Sequence, residues 1–216
     1  MQSTDADAEP WHVQAARYAL LRRLALAMRD RMLVHLEPIT VMAEVIERRL
    51  QQPVPDTKRI TAEMARMHGF ARTAVGVNLD IVSWLAPEPD TRGALEAAAR
   101  DCVALLRSEF GFGGFSLRHE PAGGNHEVSL AAVRTVLPAV LFALGDAAGR
   151  PARLTVAGDP AGPVLTVRTE DDPDATGRPA HPSYRRMEWQ EAEALALAEG
   201  VELASDGLVS TLRFPG

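Results

Sequence analysis

The groups in this chain best suited to chemistry are its six histidines and a few carboxylates near them. His35 stands out. It lies in RDRMLVHLEPITVMAEVIERRL, residues 29 to 50, three residues before Pro38 and close to Arg31 and Glu37. A neutral imidazole nitrogen can accept a phosphoryl group from an in-line donor. To do so the ring must be exposed, and its second nitrogen must be oriented by a partner. A helix turns about 100° per residue, which puts His35 within about 20° of Met28, Met42 and Ile46. The competing role is therefore a histidine packed in a helical bundle and hydrogen-bonded across it or between subunits. A pH-sensing role is a third.

Other groups carry weaker signals. His68, in MARMHGFARTA, reads as solvent-facing or a local bond former, and His12 as a mobile residue preceding the first helix. His119-Glu120 and His126-Glu127 flank the glycine-rich EPAGGN; their spacing fits no compact metal-ligand motif, and a solvated hairpin loop is expected. GFGGF, residues 111 to 115, precedes a strand pattern and does not join a strand to a helix, so it reads as a turn and not a dinucleotide loop. The single cysteine, Cys102, sits among apolar neighbours and is expected to be buried.

The elements that must position these groups follow from the hydrophobic rhythm. Apolar residues make up 46% of the 216 positions and charged residues 24%, an ordinary globular balance. The formal net charge of -6 argues against a nucleic-acid partner, which usually meets a basic stripe. MQSTDADAEP at the N-terminus is acidic, lacks signal-peptide order and reads as a disordered tail over residues 1 to 12. No apolar run is expected to reach the length of a membrane span, so a cytoplasmic protein without membrane contact is expected. A helix is predicted from about Trp11 to Leu50, a stop at QQPVPDT with Asp56 or Thr57 as cap, and a second helix from about Lys58 to Leu85. Joined by so short a loop, they must form an antiparallel hairpin. One hairpin leaves an apolar face bare, so two chains are expected to complete a four-helix bundle as a homodimer. The hairpin is assigned to residues 13 to 87. Residues 90 to 216 predict helix (93–110), strand (115–120), helix (129–148), two strands (152–159 and 163–170), a loop, a helix ended by Gly200, and a hairpin turning at Asp206-Gly207. The fold class is α+β, with helices on one face of a sheet.

This order, with the LEPITVMAEVIERRL segment, resembles the core of sensor histidine kinases. The resemblance covers about residues 15 to 216: a dimerisation and phosphotransfer hairpin, then a Bergerat-like α/β sandwich of the kind that binds ATP in gyrase, Hsp90 and MutL. In that family the accepting histidine usually stands five residues before the proline and is followed by an acid. If Pro38 is that proline, Leu33 and Val34 occupy those places, and His35 is two residues further along. The resemblance places Asp146 where a magnesium-binding asparagine is usual, though a solvent-facing acid at a helix end is the other expectation. It places Asp171 or Asp172 where adenine is read, followed by Pro173 in place of a glycine. It places SYRRMEWQEAEA where a glycine-rich phosphate loop is usual; there Glu188 and Glu191 oppose an anion, and only Arg185 and Arg186 favour one.

The resemblance thus implies a degenerate ATP and magnesium site with no cofactor, and the dimeric histidine phosphotransferases as the nearest class. Those proteins pass phosphate between response-regulator aspartates through a bundle histidine, here His35. The expected partners are a response-regulator receiver domain or a histidine kinase. A non-catalytic pseudokinase adaptor is the alternative, and a divergent ATP-dependent kinase a weaker one.

Overall fold

The computed structural model describes residues 9–85, 90–124, 126–150, 152–172 and 185–216. Contacts divide the chain into two compact units, Leu26–Ala86 and Met1–Ala25 with Pro87–Gly216. The long helix α1 (Trp11–Leu50) contributes to both, and it is unbroken through Pro38.

In the first unit, the later part of α1 pairs with α2 (Thr57–Leu85). The proline-rich loop ends α1, and Asp56 starts α2: its Oδ1 accepts from the Arg59 N–H at 3.1 Å, satisfying one of the free donors of the first turn. Ile60, Glu63, Ala74, Val77, Ile81 and Trp84 are the buried residues of α2; steps of three, eleven, three, four and three keep them on one face, the seam of a coiled pair. Two ion pairs set the direction. Arg49 Nε lies 2.9 Å from Glu63 Oε2, and Arg31 Nη2 lies 3.7 Å from Asp80 Oδ2. The end of α1 thus meets the start of α2, the antiparallel hairpin that the short loop requires.

The second unit is an α+β layer structure. A five-stranded sheet has the order β2 (Ser116–Glu120), β4 (Ala152–Asp159), β5 (Gly162–Asp171), β7 (Val209–Arg213), β6 (Glu202–Ser205). β2 and β4 are parallel and the remaining pairs antiparallel. α3 (Leu95–Phe112) packs on β2 and β4, and α4 (Leu130–Ala147) lies between α3 and α5 (Trp189–Ala198). The predicted order is present. Hydrophobic rhythm did not reveal β1 (Arg92–Ala94) and β3 (Glu127–Ser129), a two-stranded antiparallel sheet. Three residues are too few for alternation to register.

The helix ends are local chemistry. Ser129 caps α4, its Oγ accepting from the Ala132 N–H at 3.3 Å. α3 ends at GFGGF as expected, where Gly114 takes φ +81, a conformation that a Cβ would resist. A Cβ on Gly145 would come within 3.0 Å of the Phe110 ring, so glycine lets α4 approach α3 there. Phe110 in turn stacks on Phe142 with centroids 5.7 Å apart. Cys102 is fully buried, as its neighbours imply.

One expectation needs correction. α4, with mean hydropathy 1.6 over 18 residues, is long and apolar enough to cross a membrane by length and composition. Residues 136 to 143 are all buried inside the unit, so the apolar character serves the core.

Candidate functional site

His35 is half-buried on α1, and among the described residues it makes no hydrogen bond or ion pair. It lies one turn from Arg31 and shares that residue's side of the helix. Leu33 and Val34, the positions where the resemblance places the acceptor and its following acid, are 56% and 65% exposed. His35 therefore points nearer the α2 seam than they do, without being sealed into it. The salt-bridge register puts Gly76 of α2 opposite its level. Gly76 itself is exposed, and the buried seam positions beside it are Ala74 and Val77. His68 and His12 are exposed; His12 falls inside α1.

In the α/β unit the decisive group is Asp146. Its carboxylate is not the solvent-facing acid that one expectation gave: one of its oxygens is engaged inside the unit. Arg23 Nη1 donates to Asp146 Oδ2 at 2.7 Å, and the Met187 N–H donates to the same oxygen at 2.8 Å. The two side chains are only 8% and 10% exposed. Arg23 Nε lies 3.5 Å from Glu109 Oε1, and the guanidinium carbon stands 4.3 Å from the Phe142 ring centroid. Burying a guanidinium is costly unless charge and hydrogen bonds compensate, and two carboxylates and a ring face do so here. The same cation fixes the start of α1 against α3 and α4. Sequence reasoning missed Arg23. Its signal was a charged residue between Leu20, Leu24 and Ala27, on a stripe that is otherwise apolar and buried.

The neighbouring elements are similarly self-satisfied. At the N-terminus of α5, Glu188 and Glu191 form a reciprocal capping box, with the Glu188 N–H donating to Glu191 Oε2 at 3.0 Å. Arg185 pairs with Glu191. The helix end that would attract phosphate thus already holds the chain's own carboxylates as a cap, and their charge opposes an added anion. Asp172 accepts from Ser116 Oγ at 2.8 Å and from Arg153 Nη2 at 3.1 Å, while Asp171 pairs with Arg150 at 2.6 Å. The rest of DDPDATG, together with Ser183 and Tyr184, lies outside the described residues.

The His119 and His126 region also differs from expectation. β2 and β3 belong to different sheets, so they do not form the expected hairpin. His119 is on β2 with its side chain 7% exposed, and its Nε2 lies 3.1 Å from Glu96 Oε1 of α3, close but out of hydrogen-bonding line. Burial pushes the His119 imidazole below its ordinary pKa, and Arg100 adds to that, while Glu96 opposes it. His126 Nε2 is 3.1 Å from the Pro160 carbonyl. Among the described residues no cluster of three His, Cys, Asp or Glu side chains could hold a metal.

No family model matches the chain, and no curated protein sequence matches it significantly. Among solved structures it is similar to the catalytic domain of histidine kinase ThkA, at 12% identity over 58% of this chain and 94% of that one, with a TM-score of 0.43. It is similar to a bacterial phosphotransferase at 14% identity over 97% and 98% of the two chains, with a TM-score of 0.38. It is also similar to ThkA in complex with response regulator protein TrrA, at 14% identity over 97% and 67%, with a TM-score of 0.39. No residue role is carried over from them.

Proposed function

We propose that this chain is a cytoplasmic two-component signalling protein, a dimeric histidine phosphotransferase-like molecule that works with response-regulator receiver domains and has given up ATP binding. The observation that carries this is the engagement of Asp146. The carboxylate best placed to hold magnesium is neutralised by a buried arginine from α1, and the α5 N-terminus is capped by its own glutamates. Both arrangements oppose a triphosphate and its metal, whereas neither touches the hairpin histidine.

In this role an imidazole nitrogen of His35 attacks the phosphorus of a receiver aspartyl-phosphate in line. The P–O bond to the aspartate breaks, the carboxylate leaves, and an N–P bond forms; a second receiver aspartate reverses the step. Magnesium belongs to the receiver. The hairpin supplies position, and Arg31, one turn away, supplies positive charge.

Two stripes support the homodimer. Leu36, Ala43 and Leu50 recur at seven-residue intervals on α1 and are exposed. Met64, Val75 and Val82 on α2 are exposed at 52%, 59% and 57%. Apolar faces of this extent on a helical pair call for a partner surface.

A second role, a receiver-binding adaptor without chemistry, is favoured by one observation: His35 has no orienting hydrogen-bond partner among the described residues. Nucleotide is the discriminating ligand for the proposal as a whole. Titration with a fluorescent ATP analogue, with and without magnesium, is expected to show no saturable binding into the millimolar range. Saturable binding displaced by unlabelled ATP would overturn the loss of the nucleotide site.

A further inference from the structure

Strand β2 is one edge of the main sheet: it pairs with β4 on one side and, among the described residues, with no strand on the other. Alternate backbone N–H and C=O groups of such an edge point outward and can pair with an added strand. Natural edges are often blunted by a covering loop or helix. Here an open groove of about 580 Å³ runs the length of the strand, lined by every residue from Phe115 to Glu120 and by Arg107 and Gly111 of α3. A Cβ on Gly111 would meet nothing within 4 Å, so that wall leaves room for a chain. Phe115, half-buried, offers an apolar contact at one end.

The charges choose the occupant. Arg107 projects from α3 and Arg118 from the strand, both exposed, and neither has an ion-pair partner among the described residues. The one carboxylate on the wall, Glu120, stands at the far end and lies 3.6 Å from Arg168 of β5. In a protein of net charge -6, a groove with two unpaired arginines stands against the overall field. We infer that the β2 edge binds an extended acidic peptide segment of a partner protein by strand addition, with main-chain hydrogen bonds to β2 and carboxylates on Arg107 and Arg118. A five-residue strand spans about 17 Å, so the segment needs roughly six to eight residues. This does not depend on phosphotransfer through His35.

The test uses the full chain and fluorescent Glu-rich peptides with carboxylates at successive positions, so that both strand faces carry them, and lysine counterparts, read by anisotropy. The glutamate peptide should bind saturably, its lysine counterpart should not, and Arg107→Glu with Arg118→Glu should weaken binding at least about tenfold. Both arginines are exposed, and an unchanged melting temperature will show that the double variant is folded. N-methylation of alternate peptide amides separates strand addition from simple charge attraction: one phase should abolish binding and the other preserve it. Equal binding of the lysine peptide, indifference to the charge reversals, equal behaviour of the two N-methyl phases, or no saturable binding of the glutamate peptide would each overturn the inference.

Discussion

Replacing Asp146 by Asn separates the two things this residue can be. The change keeps shape and an acceptor for the Met187 N–H but removes the charge that holds Arg23 Nη1 at 2.7 Å. An exposed pair would lose at most about 1 kcal/mol. This pair is buried, with side chains 8% and 10% exposed, and breaking one side of a buried pair costs about 3–5 kcal/mol. Glu109 stays 3.5 Å from Arg23 Nε and keeps part of the compensation, so the low end applies, about 3 kcal/mol. At about 2–4 °C per kcal/mol for a unit of this size, Asp146→Asn should lower the melting temperature by roughly 6–12 °C. Calorimetry or thermal circular dichroism reads it directly. The apolar double variant Arg23→Met with Asp146→Leu should recover much of the loss, because no orphaned charge remains. An unchanged melting temperature together with weakened magnesium-dependent nucleotide binding would refute the reasoning and make Asp146 a metal ligand.

Three further perturbations follow from the geometry. Because burial lowers the His119 pKa, the folded state binds fewer protons than the unfolded state between that lowered value and about 6.5; stability should fall as pH drops through this window, and His119→Gln should flatten the slope in urea titrations run from pH 7 to pH 5. Val75→Glu with Val82→Glu places charge on the exposed α2 stripe and should convert a dimer to a monomer by light scattering without lowering helicity; a monomeric parent chain would contradict the bundle. Gly200→Ala forces a Cβ into φ +68 after α5 and should cost about 1 kcal/mol in chemical denaturation, since open space around it does not relieve the backbone.

The long elements were legible because their periods repeat. Trp11–Leu50 carries enough apolar steps to define both ends, Pro53 and Pro55 mark the stop, and Asp206-Gly207 marks the last turn. β1 and β3 were not legible, because their pairing joins residues far apart in sequence with only three positions each. The site was legible as a set of candidates but not as contacts. Asp146 could be picked out, yet its environment depends on Arg23, which is 123 positions away in sequence. The same holds for His119 and Glu96, which a helix and a strand bring together. The α5 capping box is local, and Glu188 with Glu191 could have been recognised as a cap as well as a source of repulsion.

The most direct test of the central claim is phosphate placed on the hairpin histidine. Incubation with phosphoramidate, whose N–P bond breaks with release of ammonia, followed by peptide mapping at alkaline pH, should find acid-labile phosphate on His35. That phosphate should discharge to a receiver domain, and His35→Gln should remove it while leaving the melting temperature nearly unchanged. An unlabelled His35 in a folded dimer, or equal phosphate transfer by His35→Gln, would contradict the account.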